Sequence, residues 1–81
     1  MFFLLSVAQK INNLRISVTD EMELRRILGT PMFVELLGED KRYLFYLQDD
    51  DIYILILQRN EVGIYVYVEY RKIKYTSSFL R

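Results

Sequence analysis

The sequence predicts an α+β domain in which two short N-terminal helices pack on one face of a four-stranded antiparallel β-meander. Three observations lead there. Apolar residues recur at helical spacing in two segments before residue 30. From Met32 onward the apolar period switches to two, in runs rich in β-branched and aromatic residues. The separators between those runs are of hairpin length, whereas a parallel crossover needs about a dozen residues.

The first helix is predicted over residues 2–12. Phe3, Leu4, Val7, Ala8 and Ile11 fall on one side, opposite Ser6, Gln9 and Lys10, and the helix ends near Asn12 and Asn13. The piece "LRISV" that follows alternates Leu14, Ile16 and Val18, as a brief strand or a connection. The second helix has stronger punctuation. Thr19 or Asp20 caps it, and Asp20 with Glu23 has the spacing of a capping box. Acidic residues fill its first turn and Arg25 and Arg26 its last, in agreement with the helix dipole. Leu24, Ile27 and Leu28 form its apolar stripe. Gly29 supplies a C-terminal cap, and Thr30–Pro31 forbids continuation.

"MFVELL", "KRYLFYLQ", "DIYILILQ" and "GIYVYVEYRKIKY" read as four strands, separated by "GED", "DD" and "NEVG". A half-exposed antiparallel strand normally alternates apolar with polar residues. These strands are apolar on both sides. With Asp49–Asp51 as a three-residue loop, Tyr43, Phe45 and Leu47 share a face with Tyr53, Leu55 and Leu57, and Val66 and Val68 join it. The helices then cover that face. The other collects Leu44, Tyr46, Ile54, Ile56, Tyr65 and Tyr67, edged by Arg42, Gln48, Gln58, Glu69 and Arg71, and is the expected self-association face. A slip of one residue exchanges the memberships and leaves both faces apolar.

Composition narrows the function. The chain has 81 residues, one domain, mainly helical over 1–30 and a meander over 31–76, with no linker or internal repeat. It has no cysteine and no histidine. Disulfides, thiolate zinc sites, a cysteine nucleophile and the usual neutral-pH general base are therefore excluded. Small domains lacking such supports commonly rely on oligomerisation, and a face-to-face homodimer is the expected state, with a sheet that curls and closes on itself, or a different protein partner, as the alternatives. Net charge is zero, so no global field draws the chain to nucleic acid or anionic lipid. Without Tyr and with Gly counted, the apolar share is roughly 47%, ordinary for a soluble domain.

The opening "MFFLLSVAQK" is too short to span a bilayer and no basic residue precedes its apolar run, although "SVAQ" loosely imitates a cleavage site. No membrane segment is expected, and the expected location is cytoplasmic, in the host cytoplasm for a viral protein.

Several short motifs carry chemical readings. Asp49, Asp50 and Asp51 offer oxygen ligands for Mg²⁺ or Ca²⁺, but three consecutive residues at a hairpin tip do not converge on one ion, and a solvated turn is favoured. Glu39-x-Lys41 resembles the Glu-x-Lys element of restriction-type nucleases, which lies on a core strand; here it falls on a loop. "YRKIKY" sets Arg71, Lys72 and Lys74 between Tyr70 and Tyr75, the mixture of cations and stacking rings used on nucleic acid. The competing reading is a final strand whose lysines discourage edge pairing.

"RISVTDEMELRRILG", residues 15–29, resembles the strand and first helix of ribbon-helix-helix DNA-binding proteins, which implies Arg15 and Ser17 facing bases. The second helix of that family has no counterpart, since "GTPMFVELL" reads as a strand, and a winged-helix reading lacks a recognition helix. In composition, the strands "IYILIL" and "IYVYVEY" with no Cys, His or Trp resemble small orphan proteins of thermophilic archaea and their viruses. That resemblance carries no functional residues.

No glycine-rich phosphate loop or nucleophilic constellation is present. The expectation is a non-catalytic interaction protein without metal or cofactor that self-associates through an apolar, Tyr-rich sheet face. The alternative is a small nucleic-acid-binding module using the C-terminal strand.

Overall fold

The computed structural model describes residues 5–75 and consists of two short helices followed by one open antiparallel sheet. Helix α1 spans Val7–Ile11 and α2 Glu21–Leu28. Strands β1 (Phe33–Leu37), β2 (Lys41–Gln48), β3 (Asp51–Arg59) and β4 (Tyr65–Lys74) pair in the order β1-β2-β3-β4. The α+β class and the meander are as expected.

Helix α1 is shorter than the predicted 2–12, of which residues 2–4 lie outside the described part. It starts where Ser6 closes a capping box: the Gln9 amide donates to Ser6 Oγ at 3.1 Å, and the Ser6 amide donates to Gln9 Oε1 at 2.8 Å. The "SVAQ" that imitates a cleavage site is thus a helix start. Helix α2 begins at the expected Asp20, which accepts from the Glu23 amide at 2.8 Å. The reciprocal half of that box is not made, because the Glu23 carboxylate pairs with Arg26 instead. Gly29 ends the helix at φ +89°, and its N–H reaches the Arg25 carbonyl at 2.7 Å. A Cβ is poorly tolerated at that φ.

"LRISV" is a turn, not a strand, and Ser17 sits at φ +65°. Its end nevertheless joins the sheet. The Ser17 amide donates to the Tyr67 carbonyl at 2.7 Å, and the Tyr67 amide to the Thr19 carbonyl at 2.8 Å. This covers the outer edge of β4 at Val66 and Tyr67.

The register differs from the expected one. Asp49 and Asp50 alone connect β2 to β3, with Gln48 opposite Asp51, Tyr46 opposite Tyr53 and Leu44 opposite Leu55. A two-residue hairpin loop is the commonest kind, and Asp49 takes the positive φ (+55°) that such loops demand. Between β3 and β4 the pairing skips a residue: Leu57 faces Tyr67 and Ile56 faces Glu69, leaving Val68 as a β-bulge.

One core cluster results. Ile11 of α1, Leu14 of the connection and Leu24 of α2 join Leu44, Tyr46, Tyr53, Leu55, Leu57 and Tyr67 of the sheet, and Ile27 and Leu28 pack against them. Leu24, Leu44, Leu55 and Leu57 have no solvent exposure at all.

Candidate functional site

Same-face residues along a strand alternate by two, so the observed register assigns every sheet side chain to one of two surfaces. The core-side surface carries Leu44 and Tyr46 of β2, Tyr53, Leu55 and Leu57 of β3, and Tyr65 and Tyr67 of β4. Past the bulge it continues as Tyr70, Lys72 and Lys74.

The opposite, open surface is ordered in rows running across the strands. Leu47, Ile52 and Ile73 form one row, and Phe33, Phe45, Ile54 and Arg71 the next. Glu35, Tyr43, Ile56 and Glu69 follow, and then Leu37, Lys41, Gln58 and Val66. The first two rows form an apolar patch. Phe33 is 54% exposed, Leu47 47% and Ile73 45%, while Phe45, Ile52 and Ile54 are half-buried. Phe33 and Phe45 meet edge to face at 5.5 Å. Ile56 and Val66 in the rows beyond are buried, so apart from Leu37 at the edge the accessible apolar ground is the half of the face nearest the Asp49–Asp50 hairpin. Arg71, Glu35 and Glu69 border it.

The expected association face does not exist as one surface. Leu44, Tyr46 and Tyr67 are buried in the core cluster and Tyr65 packs against it, whereas Ile54 and Ile56 lie on the other side of the sheet. Conversely, Phe45 and Leu47, assigned to the covered face by a three-residue loop, stand on the open one. A two-residue reading of "DD" would have found them.

The basic C-terminal strand is also divided. Tyr70, Lys72 and Lys74 alternate onto the core side and Arg71 onto the open side. Arg71 Nε is 3.5 Å from Glu69, and Lys74 Nζ is 3.9 Å from Asp51. Tyr70 lies 6.3 Å from Tyr53, centroid to centroid, and the Tyr75 amide donates to the Asp50 carbonyl at 2.6 Å. Arg15 and Ser17 lie in a turn whose backbone is bonded to β4. They do not form the exposed strand that a ribbon-helix-helix protein presents to DNA.

At the other end of the sheet, Glu21 organises a small ion network. Its carboxylate accepts from Arg42 at 2.6 Å and from Arg25 at 2.9 Å, and the Arg42 guanidinium stacks 4.1 Å above the Tyr65 ring. The Tyr65 hydroxyl in turn donates to the Glu39 carbonyl. This ties the start of α2 to β2 and β4. Burial pushes the Tyr67 hydroxyl above its usual range, with Tyr70 and Glu69 adding to the shift.

A depression of about 550 Å³ opens between the 13–20 turn and α2, lined by Arg15, Val18, Asp20, Met22 and Arg26 among others. Arg26 there is paired with Glu23, which raises its pKa. Among the described residues, no group of three or more His, Cys, Asp or Glu side chains is placed to hold a metal ion. No helix among them is long and apolar enough to cross a membrane. No protein-family model, curated protein or solved structure matches the chain.

Proposed function

We propose that this chain is a non-catalytic interaction protein that self-associates by burying the open sheet face against a second copy, while α1 and α2 serve as the lid of the core side. The observation that carries the reading is the pair of apolar rows, Leu47–Ile52–Ile73 and Phe33–Phe45–Ile54, on the face away from the core cluster. Contiguous apolar ground rimmed by charge marks interaction surfaces. The shape agrees. Extents of 41 × 40 × 17 Å describe a slab, and its radius of gyration of 13.4 Å exceeds the ~12 Å of a compact chain of this length. A slab leaves a sheet face for something to cover.

A second copy supplies the simplest cover, because sheets pack face to face by interdigitating such rows about 10 Å apart. Nucleic acid is less well supported, since strand alternation separates Arg71 from Lys72 and Lys74 onto opposite faces of the sheet. Light scattering behind a sizing column tests the reading. The wild-type chain is expected at twice its 9.8 kDa, and Phe45→Glu, on the open face, at the monomer mass with its circular dichroism intact. A wild-type monomer at high micromolar concentration would refute self-association.

A further inference from the structure

We infer that the two copies meet about a two-fold axis running along the strands between β2 and β3, so that Arg71 of each copy closes over Phe33 and Glu35 of the other. The inference rests on the self-association reading above and specifies its geometry. Aligned packing of two identical sheets allows an in-plane axis either along or across the strands.

An axis along the strands keeps each row and exchanges β1 with β4 and β2 with β3. Leu47 of one copy then lies on Ile52 of the other, and Phe45 on Ile54, so the exposed rows bury each other. Along the same rows Arg71 falls on Phe33, an exposed aromatic ring, with Glu35 one step further along the partner strand. An arginine over a ring and beside a carboxylate is attracted by both. Glu69 falls opposite Glu35 across the same boundary, and Arg71, one row away, offsets that like-charge pair.

An axis across the strands does less. Centred between the apolar rows, it stacks β4 on β4, sets each Arg71 over Ile73 of the other copy and carries Phe33 past the end of β1. Displaced to oppose Arg71 with Glu69, it places Lys41 over Leu47 and Gln58 over Ile52, and half of the apolar ground faces polar groups. The axis along the strands lays the apolar rows on each other and sets Arg71 beside an aromatic ring and a carboxylate instead of over Ile73.

The chain contains no cysteine, so single introduced thiols report the geometry without interference. Glu35→Cys and Glu69→Cys are each treated with a short bis-maleimide, alone and mixed after co-refolding, with the dimer followed by light scattering. Cross-linked dimer is expected in the mixture and not in either variant alone, because β1 lies over β4. Cross-linking of a single variant with itself would overturn the orientation while leaving self-association standing. So would a dimer by scattering that gives no cross-link in the mixture. A monomer in every sample, wild type included, would remove both. As a second readout, Arg71→Glu is expected to weaken dimerisation at least tenfold, and an unchanged dimer would count against the Arg71 contact.

Discussion

The Tyr46 hydroxyl donates to the Gly29 carbonyl at 2.8 Å, joining the middle of β2 to the residue that ends α2. Burial pushes that hydroxyl up to about 12, with the Arg25 cation opposing the shift and the Glu21 carboxylate adding to it. An unfolded tyrosine ionises near ~10. Between about pH 10 and 12 the unfolded chain therefore loses a proton that the native chain keeps. This contribution to stability is complete below pH ~10 and disappears as pH rises through about 12. Its expected size is on the order of 1–3 kcal/mol across that window. Urea midpoints measured against pH check it: wild type should lose stability more steeply above pH ~10 than Tyr46→Phe, and parallel curves would refute the assignment.

Placing Tyr67 in the core predicts that Tyr67→Glu unfolds the chain, whereas an association-face residue would merely split a dimer. A carboxylate replacing a buried ring among Leu57, Leu24 and Tyr53 has no partner and loses the packing, a combined cost of about 3–5 kcal/mol or more. For a domain of this size that is a large share of total stability. Far-ultraviolet circular dichroism separates the outcomes. A folded, monomeric Tyr67→Glu protein would restore the face assignment expected from a three-residue loop.

The two surfaces also predict different truncation costs. Leu55→Ala removes a side chain with no solvent exposure and should cost about 2–5 kcal/mol at any protein concentration. Ile54→Ala, one residue away on the half-buried open face, should cost less in dilute solution and more as concentration rises, since in the proposed dimer a second copy packs against it. Denaturant midpoints at two concentrations give the comparison.

Glu21 is the shared acceptor of Arg25 and Arg42 and is the less exposed partner in both pairs. Among the described residues Arg42 Nε is buried without a hydrogen-bond partner, and the Glu21 carboxylate is the charge that balances this guanidinium. Glu21→Gln should cost about 1–2 kcal/mol. Glu23→Gln, which breaks the exposed pair with Arg26, should stay within ~0.5 kcal/mol. Equal losses for the two would show that the network is only a surface feature.

Ser6→Ala removes the acceptor that starts α1, with an expected cost of about 0.5–1 kcal/mol. Faster exchange of the Gln9 amide proton in that variant is the local signature. A helix running unbroken from residue 2, as the apolar spacing alone predicts, would make Ser6 an interior position, and Ser6→Ala would then be neutral or stabilising.

What the residues determined by themselves was the order of pairing and the two ends of α2. Connections as short as Asp49–Asp50 leave antiparallel neighbours as the sole geometry. Asp20 and Gly29 bound α2 through local hydrogen bonds that need no distant partner. What only the tertiary structure decided was the identity of the two faces. A strand's hydrophobic pattern selects its register when one side is polar, because a slip then exposes the apolar set. Here Tyr53, Leu55 and Leu57 are as apolar as Ile52, Ile54 and Ile56, so a slip exposes nothing new and the pattern does not choose. One residue fewer in the Asp49–Asp50 turn exchanged the faces of β2 relative to β3. The β3–β4 connection, one residue longer than the expected "NEVG", set Tyr67 inside opposite Leu57, and the extra residue at Val68 then put Arg71 on the open side. Each is a one-residue matter of backbone geometry. They are settled by how Leu24, Ile11 and their neighbours fit against one face and not the other, a contact between parts of the chain that no local window contains.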